Sequence, residues 1–141
     1  MATSFYGVNI AVKDLDAATT KFENVLGVKA VPTPPEAFAF PGLKGASLTV
    51  GGVVINLIAS DNPETSVYKF VENKGEGLFL MSLKVDNLEN SMADLTAKGV
   101  KFVGDKPMPF KGTGNQPGGF VGFGHPKTLH GVQIEFMQQG Q

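Results

Sequence analysis

The sequence predicts an α+β fold of two tandem βαβββ modules, and two internal matches with one compositional bias predict it. Residues Gly7 to Asp16 (GVNIAVKDLD) run parallel to Leu80 to Glu89 (LMSLKVDNLE), each reading as a strand, a V-x-x-L-(D/E) turn and a helix start. The copies also close alike, since Gly52 to Asn56 (GVVIN) parallels Gly131 to Glu135 (GVQIE). The bias is glycine: 18 of them, placed between short apolar runs, fit tight turns in a strand-rich chain. One copy is too small to bury its own apolar face, so two are expected to pack as a single domain over residues 1–141. The first module covers about 1–62, a connection 63–76, and the second module 77–141.

The elements follow in order. Val8 to Val12 reads as a strand, and Asp16 is the expected N-cap of a helix in which Ala17, Ala18, Phe22, Val25 and Leu26 keep helical spacing. Gly27 is its expected left-handed stop. Val28 to Val31 starts a strand, and Pro32-Thr33-Pro34-Pro35 is expected to end it, because proline lacks the ladder donor. Residues 32–45 then form a loop. Ala46 to Val50 and Val53 to Ala59 make a hairpin across Gly51-Gly52. Val67, Tyr68 and Val71 suggest a helical turn or more in the connection. In the second copy, Met81 to Val85 is a strand and Asn87 to Lys98 a helix with Leu88, Met92 and Leu95 on one face, stopped at Gly99. Val100 to Val103 is an expected strand, 104–119 a long loop containing Asn115 and Gln116, and Phe120 to Gly124 and Val132 to Met137 the closing strands.

Composition narrows the function. The net charge is −1 with both signs interspersed, so no basic stripe argues for nucleic acid. Apolar runs such as Val53 to Ala59 are far too short to cross a bilayer, and Met1 to Tyr6 lacks the basic start and apolar core of a signal peptide. A cytoplasmic protein with no membrane association is expected. With no cysteine, disulfides, thiolate catalysis and cysteine-ligated metals are ruled out. The 11 phenylalanines include several near expected loops, and Phe40 and Phe120 are candidates to line a ligand cavity.

Three motifs carry a family resemblance: Ile10-Ala11-Val12-Lys13-Asp14-Leu15, then Gly75-Glu76-Gly77-Leu78, then His125-Pro126-Lys127 ahead of Gly131-Val132-Gln133-Ile134-Glu135. In this order the chain resembles the vicinal oxygen chelate superfamily, which includes glyoxalase I, methylmalonyl-CoA epimerase, ring-cleaving dioxygenases and bleomycin-type resistance proteins. The epimerase-like branch is the most similar. The resemblance implies two modules curled into an open, cup-shaped half-barrel around a cleft, and a homodimer. It also implies a divalent metal held by His on the first strand, Gln or Glu on the fourth, His on the fifth and Glu on the last. Here those positions are Gly7, Asn56, Leu80 and Glu135. Two carry no ligand atom, and one amide with one carboxylate makes a poor cage for a borderline divalent ion. No metal and no other cofactor is expected. His125 and His130 lie in a Pro- and Gly-bearing turn and are read as structural.

Residues two apart share a strand face. If the four mapped positions face the cleft, then Asn9, Val54, Ile58, Ser82, Gln133 and Met137 do too. Glu135 is the expected acid/base, with Asn56 beside it. Asn9, Ser82, Gln133, Leu80, Phe40, Phe120 and Met137 are the expected substrate contacts. Two functions fit this lining. One is a metal-independent lyase or isomerase that transfers a proton on a small, partly apolar carbonyl or acyl substrate. The other is a non-catalytic small-molecule binder of the bleomycin-resistance type.

Overall fold

The computed structural model describes residues 2–38, 40–112 and 117–140. They form two compact units, 7–79 and 1–6 with 80–141, each built as βαβββ. The chain is therefore α+β, as its repeat predicts.

The unit of residues 7–79 contains most of β1 (Ala2–Ala11), α1 (Leu15–Leu26), β2 (Val31–Thr33), β3 (Leu43–Val50), β4 (Val53–Ser60) and α2 (Ser66–Lys74). Its strand order is β2-β3-β4-β1, with β1 parallel to β4 and the others antiparallel. Helix α1 starts two residues earlier than expected. Asp14, not Asp16, is the N-cap, and its side chain accepts a hydrogen bond from the Ala17 N–H at 3.0 Å. Asp16 falls inside the first turn, where a carboxylate still faces the positive end of the helix dipole. Gly27 stops the helix at φ 70°, as read from the sequence. Pro32 lies inside β2 and does not end it. The strand is at the edge of its sheet, where a missing N–H leaves no ladder bond unmade. Gly51 and Gly52 both take positive φ and close the β3–β4 hairpin. Val67 and Val71 of α2 pack on Ala11 and Ile58, with Phe38, Leu43, Phe70 and Phe79 around them.

The second unit contains β5 (Gly77–Val85, from Leu80 on), α3 (Leu88–Ala97), β6 (Met108–Phe110), β7 (Gly119–Gly124) and β8 (Ile134–Gln139), together with Ala2 to Tyr6 of β1. Its order, β5-β8-β7-β6, repeats that of the first, and β5 is parallel to β8. Asn87 caps α3 through the Asn90 N–H. Leu88 and Met92 then pack against Val85 and Phe136, with Leu83, Leu95, Phe102, Phe120 and Ile134 at the margin. The expected strand Val100 to Val103 is reduced to one bridge, Phe102 to Gly124, and the module takes its second strand from β6 inside the expected loop. Asn115 and Gln116 lie outside the described residues. Among the described residues, no helix is long and apolar enough to cross a membrane.

Candidate functional site

The packing of α3 sorts the second unit's side chains by face. Leu83 and Val85 of β5 and Phe136 of β8 pack with the helix, so alternation turns Leu80, Ser82 and Lys84, and likewise Glu135 and Met137, to the opposite face. Ser82 and Glu135 are register partners on β5 and β8, and the Ser82 hydroxyl donates to the Glu135 carboxylate at 2.7 Å. Burial raises the Glu135 pKa above its ordinary value of 4.5, and the Ser82 hydrogen bond opposes part of that rise. The residue as a whole still keeps some exposed surface. A carboxylate of this kind suits proton transfer, since its affinity for a proton moves toward neutral pH.

Other expected residues fall around this pair in different ways. Leu80 and Met137 are buried, each about 5% exposed. Gln133 lies one residue before β8, half-buried, and its carbonyl accepts the Met81 N–H at 3.1 Å. Phe120 pairs with Gln138 and packs with the α3 cluster, whereas Phe123 pairs with Glu135 and shares its face. Phe123 is thus an aromatic neighbour of Glu135 that the sequence reading left out of its site. Its odd spacing from Phe120 puts the two on opposite faces, and the β7–β8 register assigns Phe123 to the face of Glu135.

Tyr6 and Lys84 complete the group. The Lys84 ammonium lies over the Tyr6 ring, 5.2 Å from its centroid. Burial, and then the Glu135 charge, raise the Tyr6 phenol above its ordinary value of 10.0, so it stays protonated at neutral pH.

The first unit holds the repeat counterpart of the serine–glutamate pair. Asn9 and Asn56 are register partners on β1 and β4, and the Asn56 amide donates to Asn9 Oδ1 at 3.1 Å. The same two repeat positions therefore carry a cross-strand polar hydrogen bond in each unit. Phe40 is 43% exposed in the segment ahead of β3.

The metal of the resembling family is not matched by this donor set. Leu80 offers no ligand atom, and neither does Gly7, where a Cβ would overlap the Val54 carbonyl oxygen. Backbone occupies the space in which a first-strand histidine side chain would begin. Asn56 and Glu135 supply oxygen only, and both already hold hydrogen bonds. No group of three or more His, Asp or Glu side chains converges among the described residues. His125 is structural, since its Nδ1 accepts the Lys127 N–H at 3.1 Å and caps the short 3₁₀ turn Pro126–Thr128. His130 is exposed at φ 56° in the following turn.

Known proteins are similar to this chain in sequence and fold. The chain is 29% identical to mouse mitochondrial methylmalonyl-CoA epimerase over 137 residues, 93% of this chain and 70% of that protein. It superposes on the methylmalonyl-CoA epimerase of Mycobacterium tuberculosis with a TM-score of 0.82 at 28% identity, covering 99% of this chain and 90% of that one. A hypothetical protein of Bacillus halodurans C-125 is similar at a TM-score of 0.81 and 26% identity, covering 97% of this chain and 94% of that one. Residues 7–118 match the model of one family, and the chain belongs to that family, the glyoxalase/bleomycin resistance protein/dioxygenase superfamily.

Proposed function

We propose that this protein is an isomerase that moves a proton at the carbon next to an acyl carbonyl, with Glu135 as acid/base and without a divalent metal. A lyase step begun by the same proton abstraction belongs to the same reading. The observation that carries it is the desolvated Glu135 carboxylate held by the Ser82 hydroxyl at 2.7 Å. An acyl thioester is the proposed substrate class, because the epimerases it is similar to are named for methylmalonyl-CoA. Gln133 is a proposed substrate-orienting amide on the strength of its place next to β8. Homodimerisation, implied by the family, is checked by light scattering.

The test is exchange. The protein is incubated in D₂O with methylmalonyl-CoA and other 2-substituted acyl-CoA thioesters, and deuterium at the α-carbon is followed by mass spectrometry. Exchange by the wild type, abolished in Glu135→Gln with substrate affinity largely kept, supports the reading. The lack of a ligand atom at Gly7 and Leu80 also favours a second reading, a non-catalytic binder. In that case the wild type gives no exchange, and Phe123→Ala weakens ligand binding by about 2–3 kcal/mol through lost apolar contact.

A further inference from the structure

Abstracting a proton next to a carbonyl sends negative charge to the carbonyl oxygen, and the rate depends on what meets that charge. In the second unit the metal positions of the family offer no electrophile on this face: Leu80 has no donor, and Glu135 is itself anionic when it acts as base. Lys84 is two residues beyond Ser82 on β5, so both project from the same face, and the Lys84 ammonium covers the Tyr6 ring at 5.2 Å. That contact brings the Tyr6 ring against a side chain of the face that carries Ser82 and Glu135. Among the described residues, none hydrogen-bonds the Tyr6 hydroxyl, although the residue is half-buried.

We infer that Tyr6 is a catalytic residue whose phenol O–H donates a hydrogen bond to the developing enolate oxygen. The inference rests on the proposed isomerase reading and deepens it. Glu135 takes the α-hydrogen as a proton. The C–H electron pair becomes the enolate double bond, and the carbonyl π electrons move to oxygen. Tyr6 keeps its proton and shares it with that oxygen. Return of a proton to carbon restores the carbonyl. From Glu135 to the same face it regenerates the substrate, whereas delivery from water to the opposite face gives the isomer, and Glu135 then returns its proton to water. A phenol that burial and the nearby carboxylate keep protonated is the form that this role needs.

The experiment compares wild type, Tyr6→Phe and Glu135→Gln in the α-deuterium exchange assay on the same thioester panel. Thermal melts check that each variant is folded. The expected result is a loss of about 10²–10³-fold in kcat for Tyr6→Phe with KM nearly unchanged, as for removal of one oxyanion donor. A purely structural tyrosine would instead lower the melting temperature with kcat kept. Exchange in Tyr6→Phe within about threefold of wild type overturns the Tyr6 role while Glu135 stands, a margin well short of one lost donor. No exchange by wild type on any thioester overturns both.

Discussion

At Glu135, one side chain links stability to activity. Its pKa is raised in the folded chain, so the native state holds that proton more tightly than the unfolded chain does. The associated stability is fully present below the ordinary glutamate value of 4.5 and is lost as pH rises through the raised value. Glu135→Gln removes the charge. Its melting temperature relative to wild type is therefore expected to rise from pH 4 to pH 8, even as exchange activity disappears. A difference that stays flat over that range would contradict desolvation of this carboxylate. Ser82→Ala removes the hydrogen bond that lowers the Glu135 pKa, so the rising limb of the kcat/KM profile should move to higher pH. The strand position of Glu135 was legible because the repeat aligns GVVIN with GVQIE and puts a carboxylate at the position of an amide. The aromatic beside it was not. Phe120 and Phe123 differ by an odd step, and only the β7–β8 register fixes which of the two lies on the glutamate's face.

Among the elements, local chemistry was readable wherever it does not depend on a neighbour. Gly27 stops α1 and Gly51-Gly52 turns the hairpin because positive φ is a property of the residue itself. Pro32 misled because its cost depends on whether β2 is central or at an edge, which is a fact of sheet order. Val100 to Val103 has strand propensity, yet Phe102 makes a single bridge and β6 supplies the ladder with β7. Propensity is a weak guide when two segments compete for one edge. The N-cap of α1 offers a sharp check between two aspartates two residues apart. Asp14→Ala deletes the bond to the Ala17 N–H and is expected to cost about 1 kcal/mol in urea denaturation. Asp16→Ala loses only a screened dipole interaction, about 0.3–1 kcal/mol. The reverse order would return the cap to Asp16.

For the whole molecule, the fold of the family and the side chains at its metal positions are separate questions. The repeat and fold are those of the superfamily, whereas two of the four family ligand positions hold Gly7 and Leu80. Loss of a ligand by point substitution is reversible in principle, so the state of the surrounding backbone decides whether a metal site is merely silent. At Leu80 the side chain is buried, and an imidazole would replace packed aliphatic volume. At Gly7 the obstacle is larger. β1 and β4 run in register with Gly7 opposite Val54, and any Cβ at Gly7 overlaps the Val54 carbonyl oxygen. A carbonyl in a parallel ladder cannot move aside as a flexible side chain does. Gly7→His is therefore expected to lose about 1–3 kcal/mol of stability by overpacking and to gain no metal. Elemental analysis of untagged protein checks this, after incubation with Zn²⁺, Co²⁺, Ni²⁺, Mn²⁺ or Fe²⁺ and desalting. Wild type and Gly7→His should both retain far less than one equivalent. Near-stoichiometric metal on the wild type would overturn metal independence. Metal on Gly7→His alone would show that the β1–β4 ladder yields where its geometry says it should not.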